Sequence, residues 1–250
     1  MKVVGLITEY NPFHLGHKYH LTKSKEVTNS DYSIVVMSGS FVQRGEPSLI
    51  DKWTKTKMAI DNGVDLVIEL PFIFSTQSAE LFAYGSIALL NSLNIVDYVV
   101  FGSELGSLYY LIKIAQILLD EPPYYKERLK KHLNDGNSFS VSRSNALKDY
   151  FCKFNIKLKH GIHLKDILKM SNNILAIEYL KALKKLNSKI QPVTIKRIGS
   201  SYRETQLNHK ISSATGIRNK LINENIESVK SYMPIHSYGH LIDYINKYKK

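Results

Sequence analysis

Val3-Val4-Gly5-Leu6-Ile7-Thr8-Glu9-Tyr10-Asn11-Pro12-Phe13-His14-Leu15-Gly16-His17 opens the chain, and its reading decides the fold. An apolar run of strand length stops at a turn-forming Asn-Pro pair. His-x-Gly-His follows, at the head of an amphipathic segment that begins Lys18-Tyr19-His20-Leu21. This is a strand, a tight turn and a helix N-terminus carrying two imidazoles. Free first-turn N–H groups and the positive end of the helix dipole suit an anion. Gly16 has no Cβ to keep a bound group away from the backbone. His14 and His17 are assigned to phosphates as hydrogen-bond donors, stronger when protonated. Position adds weight, because ligands of open α/β sheets gather at the carboxyl ends of strands. The reading is a nucleotide phosphate site; the plainer alternative is a pair of capping or surface histidines.

A second motif stands near the other end: Ile211-Ser212-Ser213-Ala214-Thr215-Gly216-Ile217-Arg218, running into a helical pattern through Leu221 and Ile222. Ser212, Ser213 and Thr215 are N-cap and first-turn residues whose hydroxyls and amides can hold phosphate oxygens. Arg218, one turn on, adds a permanent planar cation. Alone, this is an ordinary capped helix with a surface arginine. Paired with the first motif, in this order, it is a second wall for the same ligand.

Between the motifs, strands and helices alternate. Strands are expected at Lys2–Thr8, Tyr32–Met37, Asp65–Leu70 and Asp97–Phe101, and helices at His17–Val27, Asp51–Asn62, Gln77–Leu93 and Ser107–Leu119. Continuous apolar strands alternating with helices make a parallel sheet covered on both faces. Right-handed crossovers then bring His14, His17, the Ser38–Gly45 loop, Pro71 and Gly102 to one edge. Glu121-Pro122-Pro123 breaks the pattern, and Tyr124–Ile167 reads as helical and basic. A helix at Asn173–Lys185, a strand at Ile190–Ile198 and the Ser212 helix resume it. The division is therefore 1–121 as the first part of an α/β core, 122–170 as a helical basic insertion, 171–222 as completion of the core, and 223–250 as a short C-terminal helical tail.

At 250 residues, with 44% hydrophobic and 22% charged, the chain has the composition of a globular protein with a substantial core. No apolar stretch reaches membrane-spanning length and the N-terminus goes directly into a strand, so no membrane role and a cytoplasmic location are expected. The single cysteine, Cys152, allows no internal disulfide or Cys-rich metal site and reads as a small, partly buried hydrophobe. Lys and Arg number 34 against 22 Asp and Glu, a formal charge of +12 that favours polyanionic partners. In 124–250 basic residues (Lys126, Arg128, Lys130, Lys131, Lys148, Lys153, Lys157, Lys159) interleave with Tyr124, Tyr125, Phe139, Tyr150, Phe151 and Phe154. That mixture suits phosphates and unpaired bases, although core packing accounts for any one aromatic at least as well. Lys247-Tyr248-Lys249-Lys250 reads as a solvated tail.

The two motifs together resemble the HxGH nucleotidyltransferase superfamily, with its Ile-Ser-Ser-Thr-x-Ile-Arg-like second signature. Gly5 to His17, Met37-Ser38-Gly39-Ser40-Phe41-Val42-Gln43-Arg44-Gly45-Glu46-Pro47, Val67-Ile68-Glu69-Leu70-Pro71, Phe101-Gly102-Ser103-Glu104, Ser171-Asn172-Asn173-Ile174-Leu175 and Lys196-Arg197-Ile198-Gly199 narrow it. These blocks resemble the bacterial tRNA(Met) cytidine acetate ligase family, from the first residues to about Arg218. Proteins of that family extend further at the C-terminus, and Ser200-Ser201-Tyr202-Arg203 departs from the family's Ala-x-Tyr-His flavour, which leaves the role of Tyr202 open.

The resemblance implies a Rossmann-like core whose Ile7–His20 segment (Ile7, Thr8, Glu9, Tyr10, Asn11, Pro12, Phe13, Gly16 and His20 beside His14 and His17) lines an ATP pocket. Gly102, Asn172 and Arg197 then contact the nucleotide, and Ser212, Ser213, Thr215 and Arg218 complete the β/γ-phosphate side. Asn172 and Asn173 can read an adenine edge or ribose, or merely cap the helix that follows. Lys23 and Lys55 read better as members of a solvated helix face. The Ser38–Glu46 loop, with Gln43 and Arg44, is a candidate cover for a small second substrate. The implied chemistry is attack of acetate on the α-phosphate of ATP, giving acetyl-adenylate and pyrophosphate, then acetylation of N4 of the wobble cytidine of elongator tRNA(Met). Mg2+ would accompany ATP, with no protein ligand identified. Two other classes remain open: an adenylyl- or cytidylyltransferase acting on a small phosphate ester, and a non-catalytic RNA-binding module that holds ATP.

Overall fold

In the computed structural model, which describes residues 1–158, 162–197 and 213–248, the expected strands all enter one sheet. β1 (Val3–Thr8), β2 (Tyr32–Ser38), β3 (Leu66–Leu70), β4 (Tyr98–Ser103) and β5 (Gln191–Lys196) lie in the order β3-β2-β1-β4-β5. Every neighbouring pair is parallel, with Leu6 opposite Val35, Ile34 opposite Leu66, Gly5 opposite Val99 and Val100 opposite Val193. The strand order reverses between β1 and β4, so the crevice beyond their carboxyl ends is where this topology opens.

Alternation along each strand fills two cores. Val3, Ile34, Val36, Val99 and Phe101 face one side, and Val4, Leu6, Val35, Met37 and Val100 the other, all buried. Helices cover both faces because both are apolar. α1 (Leu15–Thr28) and α2 (Lys52–Asp61) lie on the second side. A short α3 (Phe72–Ser75), then α4 (Ala79–Ser92), α5 (Leu108–Asp120), α6 (Pro123–Asn134), α7 (Phe139–Lys153), a short α8 (Leu164–Ile167) and α9 (Ser171–Lys185) build the first.

The basic segment α6–α7 contributes Tyr125, Ala146, Leu147 and Phe151 to the first core. Two of its interleaved aromatics, Tyr125 and Phe151, are thus packing residues. Phe139 and Phe154 are exposed, and Tyr124, Tyr150 and Phe154 form a ring cluster with centroids 4.4 to 6.4 Å apart. Cys152 corrects an expectation: it is exposed, on a face of α7 turned from the buried Phe151.

The C-terminal stretch is helical and packs on the core. α10 (Ala214–Asn223), a 3-10 turn (Ile226–Tyr232) and α11 (Ile235–Tyr248) pack on the second face. Leu241 of α11 is 1% exposed, a burial that contributes about 2 kcal/mol. Asn62 Nδ2 donates to Ser237 Oγ at 2.9 Å, and His240 Nε2 meets Asp61 Oδ2 at 2.6 Å. Among the described residues no helix is long and apolar enough to cross a membrane.

Candidate active site

α1 begins at Leu15, two residues ahead of the expected start, because His14 itself serves as the N-cap. Its Nδ1 accepts the Gly16 N–H at 3.0 Å, and the His14 N–H is donated to His17 Nδ1 at 3.3 Å, a capping box built from imidazoles instead of Ser and Glu. The two rings lie 3.7 Å apart between centroids at 30°, and the Tyr10 ring sits 4.9 Å from His17. With Nδ1 of His14 accepting, its proton is on Nε2.

Burial sets the charge of this wall. Desolvation first, then the nearby Arg197 and Arg218 cations, lowers His14 to about 3. His17 is pushed well below its ordinary value by desolvation, then by His14, His20 and Arg197, with a hydrogen bond to Pro12 acting the other way. Desolvation and Arg197 lower His20 to about 4. Desolvation and the guanidinium neighbours together favour the neutral rings, and each neutral ring carries one donor, not two.

The second motif closes against the first. Ser213 is the N-cap of α10, its Oγ accepting the Gly216 N–H at 3.0 Å. Arg218 Nη1 donates to the Asn11 carbonyl at 2.9 Å across 207 positions, and its Nη2 reaches Thr215 Oγ1 at 3.3 Å and Glu46 Oε2 at 3.9 Å. Asn11 is itself held, its Oδ1 accepting from the Leu49 N–H at 2.8 Å and Ser48 Oγ at 3.2 Å. The following Asn11–Pro12 bond is cis.

Between these helix beginnings lies a cleft of about 320 Å³ at the carboxyl ends of β1, β4 and β5. From the first motif Ile7, Thr8, Glu9, Tyr10, Asn11, His14, Gly16, His17 and His20 line it; Gly102, Asn172 and Arg197 line one side; Ser213, Thr215 and Arg218 line another. Pro12 and Phe13 stand behind the wall, Phe13 fully buried edge-on to Tyr10 with centroids 4.7 Å apart. Ser212 falls outside the described residues, as do Gly199 and the Ser200–Arg203 stretch. Gln43 and Arg44 also reach the cleft, their loop tied down by Gln43 N–H to Glu9 Oε1 at 2.9 Å and Gln43 Nε2 to the Gln77 carbonyl at 2.6 Å. Phe82, Leu175 and Tyr179 supply apolar wall that the motifs did not reveal.

Two residues differ from expectation. Lys55 is fully buried rather than solvated: its Nζ donates to the carbonyls of Ser38 and Gly39, both at 2.8 Å, and of Glu9 at 3.1 Å. It staples the ends of β1 and β2, and desolvation lowers it to about 8 despite Glu9, Glu69 and Asp51. The sequence signal was there, since Lys55, Met58 and Ala59 share the buried face of α2. Asn173 lies wholly inside, its Oδ1 accepting the Leu105 N–H at 3.0 Å and its Nδ2 reaching the Ile167 carbonyl at 3.3 Å. It fixes the loop after β4 and does not line the cleft. Asn172 does line the cleft, its Nδ2 on Glu104 Oε1 at 2.7 Å and its Oδ1 3.5 Å from Arg197 Nη1. Glu104, overlooked, caps α9 through the Asn172 and Asn173 N–H groups at 3.3 and 2.9 Å, so that helix end already holds an anion. Lys23 pairs with Glu26 at 2.9 Å on an exposed face, as expected.

A family model described as HIGH nucleotidyl transferase matches residues 1–250. Proteins named tRNA(Met) cytidine acetate ligase are similar: 52% identical over 240 residues in Clostridium perfringens (96% of this chain, 60% of the relative) and 51% over 234 residues in a Thermoanaerobacter species (94% and 56%). The chain thus spans about 60% or less of the length of these curated relatives. Two crystal structures of Thermotoga maritima TmcAL, one apo and one bound with alpha-thio ATP, superpose with TM-scores of 0.92 and 0.89 at 41% identity, covering 99% of this chain and 57% and 56% of those chains. With the family model matching its whole length, residues 1–250, the chain belongs to the HIGH nucleotidyl transferase family.

Proposed function

We propose that the cleft binds ATP with its triphosphate between the beginnings of α1 and α10, and that the protein activates acetate as acetyl-adenylate and acetylates N4 of the wobble cytidine of elongator tRNA(Met). The observation that carries this reading is the Arg218 hydrogen bond to the Asn11 carbonyl, 2.9 Å long, which joins the two signature motifs across one cleft. The ligase chemistry follows the name shared by the similar proteins, and the formal charge of +12 suits an RNA partner.

In this reading His14 and His17 donate through neutral rings to phosphate oxygens. Their hydrogen bonds strengthen as charge moves onto the leaving pyrophosphate, which is where stabilisation accelerates a reaction. Arg218, Ser213 and Thr215 take the β/γ side, and Arg197, Asn172 and Gly102 take the nucleoside side. Gly102 leaves space there, since an added Cβ would lie 3.2 Å from Arg197 Cγ. Ser212 is assigned with its neighbours on sequence alone.

Mg2+ accompanies ATP in this scheme. Among the described residues no group of three His, Cys, Asp or Glu side chains is arranged to hold a metal ion, and Glu9 is the carboxylate lining the cleft. Phosphate oxygens and water would hold the ion, its usual environment, and no protein ligand is assigned.

The test is ATP–pyrophosphate exchange, followed by mass spectrometry of tRNA nucleosides. Exchange that requires acetate, with N4-acetylcytidine formed in elongator tRNA(Met), is expected. Exchange driven by glycerol 3-phosphate or phosphopantetheine, and not by acetate, would mean a nucleotidyltransferase instead. ATP binding without any exchange would leave only a nucleotide-holding module.

A further inference from the structure

Among the described residues a single carboxylate, Glu9, lines a cleft otherwise furnished with histidines, arginines and hydroxyls. A site for a triphosphate and an acid gains nothing in binding from a half-buried carboxylate, so the position asks for a chemical reason. Glu9 stands at the carboxyl end of β1, on the side where the Gln43 loop closes. Its Oε1 accepts the Gln43 N–H at 2.9 Å, and its Oε2 has no hydrogen-bond partner among the described residues. Lys55 from α2, Arg44 from the loop and Arg218 from α10 face it, and its charge acts on Tyr179 of α9.

Building on the ligase reading, we infer that Glu9 is the general base of the second half-reaction, taking the proton from the cytosine N4 amine as that nitrogen attacks acetyl-adenylate. An N–C bond forms to the acetyl carbonyl carbon. The C–O bond to the adenylate breaks, and its electron pair leaves on AMP. The nitrogen's proton passes to Glu9 Oε2 and then to solvent, so N4-acetylcytidine, AMP and one proton balance the step. An exocyclic cytosine amine delocalises its lone pair into the ring, so removal of its proton as the bond forms is where a base helps.

The other cleft groups are already committed. His14 and His17 use Nδ1 to accept backbone N–H groups, at 3.0 and 3.3 Å, which leaves His14 with its proton on Nε2 and no lone pair turned to the cleft. His20 Nε2 is buried without a hydrogen-bond partner, and burial with Arg197 makes that ring a weak base at about 4. Lys55 spends its three protons on three carbonyls, and Arg44, Arg197, Arg218 and Lys196 are donors only. Burial pushes the phenols of Tyr10 and Tyr179 up, which keeps them protonated. Burial likewise raises Glu9 above the usual carboxylate value, against the opposing pull of the Gln43 N–H, Lys55, Arg218 and Arg44; a stronger base results.

The test uses the whole 250-residue chain, measuring acetyl-adenylate formation and single-turnover transfer to elongator tRNA(Met) separately. Glu9→Gln keeps an oxygen for the Gln43 N–H, so the loop anchor persists. The ratio of transfer to adenylation should fall about 100-fold, the usual worth of a positioned base. Wild-type transfer should rise with pH through the Glu9 titration, and E9Q should lose that limb. Glu9→Asp should recover part of the rate with the limb intact, and it serves with the wild-type profile if E9Q does not fold. An equal fall in both half-reactions would reduce Glu9 to an anchor of the Gln43 loop and overturn the inference. So would an unchanged ratio, or a wild-type chain that makes acetyl-adenylate and transfers it to no RNA. Failure of the ligase reading is separate: it shows as absence of acetate-dependent exchange in the wild type.

Discussion

Lowering the pH from 7 to 5 should cost this fold about 4 kcal/mol through His14 and His20 alone. Both are held neutral in the folded state, at about 3 and about 4, against 6.5 for a free imidazole. A lowered imidazole value means that the unfolded chain takes up the proton first. The stabilising contribution is therefore intact above pH 6.5 and is lost as pH falls below it toward the folded value. Between pH 7 and 5 the loss is about 2 kcal/mol for each ring, and His17 adds to it in the same direction. Domains of this kind are stable by only about 5–15 kcal/mol, so mild acid should bring the protein near unfolding. The assay is urea denaturation at pH 7 and pH 5 for the wild type and His14→Gln, whose side-chain oxygen can still accept the Gly16 N–H. The variant should lose about 2 kcal/mol less over that interval. Glu9, raised by burial, works in the opposite sense, gaining stability as pH falls through its folded value. It is common to both proteins and cancels in their difference. Identical pH dependence in wild type and variant would refute the reasoning, because it would mean that the imidazole is already solvated.

Lys55→Met removes the donor from three strand-end carbonyls and should cost about 2–4 kcal/mol, read from the urea midpoint at constant slope. Because Lys55 is lowered to about 8 from 10.5, the penalty for burying its charge is present below pH 8 and relieved above it. Wild-type stability relative to K55M should therefore rise between pH 8 and 10.5. Arg218→Met loses both the Asn11 carbonyl bond and a cation at the cleft; calorimetry should find ATP bound about 10–100-fold more weakly, and unchanged affinity would remove α10 from the phosphate site.

Much of this site was legible because local pattern carries it. An apolar run, an Asn-Pro turn and a His-x-Gly-His sequence are contiguous, so strand, turn and helix start follow from a dozen residues. The same holds for Ser213 as an N-cap. The roles of Lys55 and Asn173 are not legible locally, because they depend on what packs over them. A lysine three and four positions from Met58 and Ala59 is a solvated residue on one helix and an internal staple on another, according to which strand ends lie beneath it. Glu104 likewise caps a helix 68 positions away, a pairing that no local window contains.

What the sequence by itself determined is the set of parallel strands, the helices between them and the two side-chain-capped helix beginnings, since hydrophobic period and capping chemistry act over a few residues. Tertiary structure alone decided that these beginnings meet, through the Arg218 hydrogen bond to Asn11, and what charge the meeting place holds. Desolvation, joined by nearby cations, lowers His14, His17 and His20, and desolvation raises Glu9 against the pull of its cationic neighbours. Both causes are properties of the space around a side chain, brought together by folding from positions as far apart as 9, 55 and 218.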